Sequence, residues 1–416
     1  MSNLRDLLEK HVGGGSAPGA VGLVARGDRV EVAAVGSADA GGTAAMARDS
    51  IFRIASMTKP VTAAATMMLV EEGRIALDEP VRQWLPELAA PKVVRTHASP
   101  VDDVVPAEKV ITVADLLTFR AGYGFPSDFS LPAVGLLFSE LKQGSLQPQA
   151  IEEPDAWMAT LSRIPLLDQP GEAWLYNTCS DILGVLIARV SDRPLPEFLA
   201  DRLFEPLGMA DTGFAVPTGK ADRFTSYYRT APEGGGLQLV DAPDGQWSSV
   251  PAFPSGTGGL VSTADDWYAF ARMLLAEGNP EGSPGGRRLL SAESVRLMTT
   301  DHLTRAQHVV PGGAGLGLRR FGRRRGHRAL ERTGTLRLGG RHGNGGTPHA
   351  LHRRGRHPAD PAGNGRTDPA HADAGVLEVR GRRLRGRPVR GHPTASQARD
   401  RYRSGLAKQR LLSYMR

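Results

Sequence analysis

Cysteine is almost missing from this chain: Cys179 is the only one in 416 residues. That excludes an intramolecular disulfide framework. Long apolar runs are missing too. No stretch approaches 18 consecutive apolar residues, so a membrane-spanning helix is not expected. The opening MSNLRDLLEKHVGGG has no apolar core of the signal-peptide kind, and the expectation is a soluble, cytoplasmic protein. Seven of the 11 histidines lie beyond residue 318, with no metal-ligand spacing beside a structured element. His97 and His302 read as surface or local-packing residues. The glycine-rich HVGGGSAPG and GGAGLG lack the lysine and helix of a phosphate loop. Neither a metal nor an organic cofactor is therefore expected.

The formal net charge of +7 is an average over two unlike pieces. Residues 319–416 hold 24 Arg and one Lys against six acidic residues, a net +19. Residues 1–318 keep 26 basic and 38 acidic residues, a net −12. The last quarter contains no Trp, no Ile, one Phe and two Tyr. The chain divides accordingly into a body at 1–318 and an arginine-rich tail at 319–416.

Within the body, Leu4, Leu7, Leu8 and Val12 mark a short amphipathic helix over residues 1–11. The segment AVGLVARGDRVEVAAVGSAD reads as two strands near 18–37 around a turn at Arg26, Gly27 and Asp28. From Ser56 to Glu72, Ala, Met and Leu dominate, which predicts a helix stopped by Gly73. ITVADLLTFRAGYG predicts a short helix ending in a glycine turn. Residues 151–163, 178–207 and 291–300 carry helical periodicity, and GTGGLVSTADDWYAFARMLLAEG a turn, a short strand, a Ser/Thr cap and a helix. Helices thus fill 56–300, as a helical body inserted into a sheet whose other strands come late. After about 305 strand candidates are few, and VLEV at 376–379 is a poor one.

Two short motifs carry chemistry. Ser56-Met57-Thr58-Lys59 places a serine and a lysine three apart, on one face of a helix. A lysine at the buried start of an apolar helix needs a reason, and a desolvated amine can act as a general base for the serine. The bland alternative is a serine N-cap followed by a surface lysine. In Tyr176-Asn177-Thr178, the tyrosine could relay a proton and Asn177 could orient the lysine or hold a substrate carbonyl. The alternative there is a packing tyrosine with Asn177 as a helix cap. Cys179, three residues after Tyr176 on an apolar stretch, reads as a small buried residue, with no paired histidine to make it a nucleophile.

Taken together, FRIASMTKPVTAAATMMLVEEGRIALDEPVRQWLPEL, ITVADLLTFRAGYG, PGEAWLYNTCSDILGVLIARV, LADRLFEPLGMADTGF and GTGGLVSTADDWYAFARMLL resemble the serine hydrolases of the class C β-lactamase and penicillin-binding type, which include esterases. The resemblance covers roughly residues 10–300. It implies an α+β fold of the α/β-sandwich type: an antiparallel sheet flanked by helices, with an inserted helical domain. It implies Ser56 as acylated nucleophile, Lys59 as the base and Tyr176 as the group that protonates the leaving group and helps activate water. Asn177 occupies the substrate-side position of the Y-[SN] pattern seen in family esterases. Thr178 stands where β-lactamases of the Y-x-N pattern carry Asn, which favours esters over β-lactams. The implied activity is a serine esterase acting on small or medium carboxylic esters, with no cofactor. β-Lactamase, D-amino-acid peptidase and transacylase activities are the alternatives within the fold.

The family's third motif, K-T-G, H-x-G or W-x-G on a sheet strand, has only two imitations here, Arg332-Thr333-Gly334 and His342-Gly343, neither in convincing strand sequence. Two readings fit residues 319–416. One is a basic extension binding nucleic acid or membrane, disfavoured by the missing aromatic interleaving and by the sheet it would leave incomplete; that reading would make the protein a non-catalytic binder. The other is a change of reading frame near 310–320, since GC-rich DNA out of frame yields Arg, Gly, Pro, Ala and His. TLRLGGRHGNG, back-translated and shifted by one base, can give RYGWxGGTGT, a match to the missing strand. Sequencing the gene across 300–345 separates the two.

Overall fold

The computed structural model describes residues 3–12, 15, 17–231, 236–279, 288–304 and 307, and the backbone of two strands at 334–338 and 377–381. The chain opens with helix α1 (Leu4–Val12), then the hairpin of β1 (Gly19–Arg26) and β2 (Arg29–Gly36), paired antiparallel from Gly19↔Gly36 to Arg26↔Arg29. The turn falls at Gly27 and Asp28, as the sequence predicts. α1 lies on this hairpin, its Leu4 and Leu8 side chains against Gly22.

A two-residue strand, β3 (Phe52–Arg53), leads into a 3-10 turn at Ala55–Met57 and the helix α2 (Thr58–Glu71). α2 is buried along most of its circumference, from Thr58 to Leu69. A helix apolar all round must sit inside its protein, and α2 packs against the second buried helix, α6 (Thr178–Ser191). Between them come the ladder of β4 (Lys92–Val94) with β5 (Val104–Pro106), α3 (Val113–Leu117), α4 (Pro132–Ser139) and α5 (Pro154–Leu161). α3 starts at a reciprocal cap: the Thr112 hydroxyl accepts from the Asp115 amide, and the Asp115 carboxylate accepts from the Thr112 amide.

After α6, α7 (Leu195–Leu199) runs through a π turn at 200–204 into the single turn α8 (Glu205–Leu207). The hairpin of β6 (Tyr227–Thr230) and β7 (Leu237–Asp241) follows, then β8 (Val261–Ser262), paired with β3, and α9 (Ala264–Leu275), capped by the Thr263 hydroxyl. α10 (Ala292–Met298) precedes the two late strands, β9 (Gly334–Leu338) and β10 (Leu377–Gly381).

The main sheet has the order β2-β1-β10-β9. This α+β arrangement agrees with the sequence, with three corrections. The β1–β10 ladder is parallel, so the sheet is mixed and not wholly antiparallel. The 376–379 segment, judged a poor strand, supplies most of β10, pairing Val24 with Glu378. Gly334, in one imitation of the third motif, opens β9. Arg332, Thr333, His342 and Gly343 lie outside the described residues, as does most of 319–416. Among the described residues no helix is long and apolar enough to cross a membrane.

Candidate active site

Ser56 sits in the 3-10 turn that becomes α2, directly after Ala55, a non-glycine residue with φ of 44°. The turn leaves Ser56 exposed while the next turn of helix goes inward: Lys59 is only 8% exposed. The Lys59 Nζ lies 3.0 Å from Ser56 Oγ and donates to the Thr257 carbonyl at 3.0 Å. Lys59 is therefore not the surface lysine of the bland reading, and α2 has Met57 at its N-cap with no side-chain capping bond, so Ser56 does not cap it.

Tyr176 reaches the same oxygen from another part of the chain. Its hydroxyl lies 2.7 Å from Ser56 Oγ, and its ring lies 4.5 Å from Lys59 Nζ. Phe119 stacks alongside at 6.2 Å between centroids, and Trp174 lies 5.9 Å away. The backbone of Tyr176 is pinned to Phe125 by two hydrogen bonds, Phe125 N–H to Tyr176 O at 2.7 Å and Tyr176 N–H to Phe125 O at 3.1 Å. Gly124 makes that approach possible. At φ of 138° it sits where a Cβ would come within 2.6 Å of the Tyr176 carbonyl oxygen.

Asn177 occupies the N-cap position of α6 with φ of 90° and ψ of −77°, without a side-chain capping bond. That backbone lies near the rarely populated γ-turn region. Its carbonyl accepts from the Thr257 hydroxyl at 3.2 Å. Thr178 is fully buried, and its hydroxyl donates to Gln143 Oε1 at 2.7 Å. Cys179 is fully buried, and burial pushes its thiol up to about 12.

Sequence reasoning placed a glycine turn at 256–259 but missed its part in the site, which Ser255-Gly256-Thr257-Gly258-Gly259 closes from behind. It contacts both buried helices. The Gly256 carbonyl accepts from the Thr62 hydroxyl of α2 at 2.8 Å, and a Cβ on Gly256 would run into the Ser180 carbonyl of α6. Asp181 was missed too, and a signal for it existed: it is the lone acid in the apolar stretch TCSDILGVLI. It is 5% exposed, and burial raises its carboxyl above the usual range, opposed by hydrogen bonds from Ser255 and Thr257 and by the Lys59 charge. Among the described residues no group of His, Cys, Asp and Glu could hold a metal ion.

In chemical terms the cluster is a hydroxyl with an amine and a phenol both within hydrogen-bond reach, held at the mouth of a buried helix. Such a group can lose a proton to either neighbour and regain it. Protein Rv1367c of Mycobacterium tuberculosis is 40% identical over 294 residues, 70% of each chain. Esterase EstB of Burkholderia gladioli is 31% identical over 264 residues, 60% of this chain and 63% of that one. Among solved structures, EstCE1, described as a hydrolase with promiscuous acyltransferase activity, superposes with a TM-score of 0.57 at 26% identity. That match covers 73% of this chain and 77% of the other. A family model, Beta-lactamase, matches residues 4–348. With that match spanning most of the chain, including Ser56, Lys59 and Tyr176, the protein belongs to the Beta-lactamase family.

Proposed function

We propose that the protein is a serine esterase that hydrolyses small or medium carboxylic esters through an acyl-enzyme on Ser56. The observation that carries this reading is the convergence of Lys59 Nζ and the Tyr176 hydroxyl on one serine oxygen, at 3.0 and 2.7 Å. Lys59 takes the Ser56 proton while Oγ bonds to the acyl carbon. Breaking the bond to the alcohol oxygen releases the alcohol, which takes its proton from Tyr176. Tyr176 is reprotonated by the Lys59 ammonium. Water then attacks the acyl carbon, gives its proton back to the same pair, and frees the acid as Ser56 regains its hydrogen. The Ser56 amide is assigned to the oxyanion and Asn177 to substrate binding. No cofactor enters these steps.

Esters are favoured over β-lactams by Thr178. It stands where the Y-x-N pattern has an amide, and its hydroxyl is committed to buried Gln143. The name of EstB supports the same choice. A second reading, acyl transfer to an alcohol, is supported by the description of EstCE1 and by acyltransferase calJ of Penicillium decumbens, 27% identical over 268 residues. We place the reaction in the cytoplasm, and we keep the division at residue 318 as part of the proposal.

The test is exposure to a serine-reactive phosphonate followed by peptide mass spectrometry, with p-nitrophenyl acetate, p-nitrophenyl butyrate and a chromogenic cephalosporin assayed side by side. A single adduct on Ser56 with ester turnover is the expected result. Ester turnover surviving in Ser56→Ala, or cephalosporin turnover exceeding that of both esters, would overturn it. Adding methanol to the ester assay and measuring the methyl ester separates transfer from hydrolysis.

A further inference from the structure

Lys59 has two oxygen neighbours, Ser56 Oγ and the Thr257 carbonyl. A lysine side chain is long and flexible, so a fixed second acceptor decides where its amine rests. The placement of the Thr257 carbonyl is therefore part of the placement of the base.

That carbonyl belongs to a turn held from α6 by one carboxylate. Asp181 Oδ1 accepts from the Ser255 hydroxyl at 2.6 Å and from the Thr257 amide at 3.1 Å. The Ser255 Oγ in turn accepts from the Thr257 and Gly258 amides, both at 3.2 Å. The Thr257 hydroxyl closes the loop on the Asn177 carbonyl at 3.2 Å. No arginine or lysine pairs directly with Asp181 among the described residues. An acid buried without an ion-pair partner is costly unless its hydrogen bonds are used, and here they are spent on this one turn.

We propose that Asp181 is a positioning residue: through Ser255 and Thr257 it fixes the carbonyl that holds the Lys59 amine against Ser56. The inference rests on the reading of Lys59 as the base for Ser56. Asp181 touches neither substrate nor the reacting atoms. It acts on where the proton acceptor sits, so its loss falls on the chemical step and leaves substrate binding alone.

The experiment measures kcat and KM for p-nitrophenyl butyrate per phosphonate-titrated site in Asp181→Ala, Asp181→Asn and Ser255→Ala, with circular dichroism melts of each. Asp181→Ala is expected to lower kcat by about 10- to 100-fold, as a displaced catalytic group does, with KM within about twofold of the parent. Asp181→Asn keeps the Oδ1 acceptor and is expected to restore most of kcat. Ser255→Ala keeps the carboxylate but removes the shared hydroxyl, and lowers kcat in the same sense. It carries the test if the Asp181 variants do not fold. Unchanged kcat per titrated site in Asp181→Ala or Ser255→Ala, or a rise in KM at constant kcat, would overturn the assignment. Failure of the parent protein itself to be labelled at Ser56 would instead overturn the proposed mechanism.

Discussion

The Tyr176 hydroxyl lies 2.7 Å from Ser56 Oγ across 120 residues of sequence. Two different devices deliver the pair: a 3-10 turn entering a buried helix carries Ser56, and a two-bond backbone bridge to Phe125 carries Tyr176. Removing the phenol hydroxyl should leave the bridge intact. Tyr176→Phe is expected to lower kcat for p-nitrophenyl butyrate by about 10²- to 10⁴-fold, the usual range for a lost general acid or base. Its melting temperature should stay close to the parent's. A Tyr176→Phe enzyme with unchanged kcat would remove the tyrosine from the mechanism.

Gly124 tests the bridge itself. A Cβ there would lie 2.6 Å from the Tyr176 carbonyl oxygen and 2.7 Å from that of Leu175, and φ is 138°, where L side chains are strained. Gly124→Ala should push the Tyr176 backbone away from Phe125 and reduce ester turnover by at least about tenfold. A crystal structure of the variant would place the Tyr176 hydroxyl beyond hydrogen-bond reach of Ser56.

Arg53 stands three residues before Ser56 and is paired with Asp241, both side chains being almost wholly buried. Its Nε lies 3.0 Å from Asp241 Oδ2, its Nη1 donates to the Thr225 carbonyl at 2.6 Å, and Phe224 lies beneath the guanidinium at 3.9 Å. Removing one partner of such a pair leaves a buried charge uncompensated, at about 3–5 kcal/mol. Asp241→Ala should therefore lose about that much in urea unfolding, far more than Asp265→Ala, whose partner Arg48 is exposed.

The α2 segment was the most legible part of the fold. Its run of Ala, Met and Leu implies burial on every side, and a lysine inside such a run has few uses besides chemistry. Tyr176 was legible through the residues that follow it. Short strands were not. KVV, VVP and YYRT are too brief to show a period of two, and they form ladders only because distant partners supply the other edge. VLEV failed as a strand candidate on its own content and is fixed by β1, over 350 residues earlier. GTGGL announced a turn and Asp181 stood out as a lone acid in an apolar stretch, but their roles consist of hydrogen bonds between segments, which leave no pattern within either.

Cys179 offers a check on how tightly the site is built. With its thiol fully buried and pushed up to about 12, almost no thiolate exists at pH 8. The native protein should therefore show no reaction with Ellman's reagent, and one equivalent should appear in guanidinium. Rapid labelling without denaturant would mean that α6 opens readily.

His302 predicts an acid-side loss of stability. Burial, with Arg120 nearby, lowers its imidazole to about 3, while the unfolded chain takes up that proton near 6.5. The unfolded state binds more protons in between, so stability declines as pH falls from about 6.5 toward about 3. His302→Gln should show a smaller difference between urea midpoints at pH 7 and pH 4.5 than the parent does. An equal difference in both would mean that this imidazole titrates normally in the folded protein.

Ala55 and Asn177, on either side of the reacting groups, both carry positive φ without being glycine. Each such position costs on the order of 1–3 kcal/mol, a sizeable fraction of the 5–15 kcal/mol by which a typical domain is stable. If that strain is held for the reaction, a substitution that releases it exchanges activity for stability.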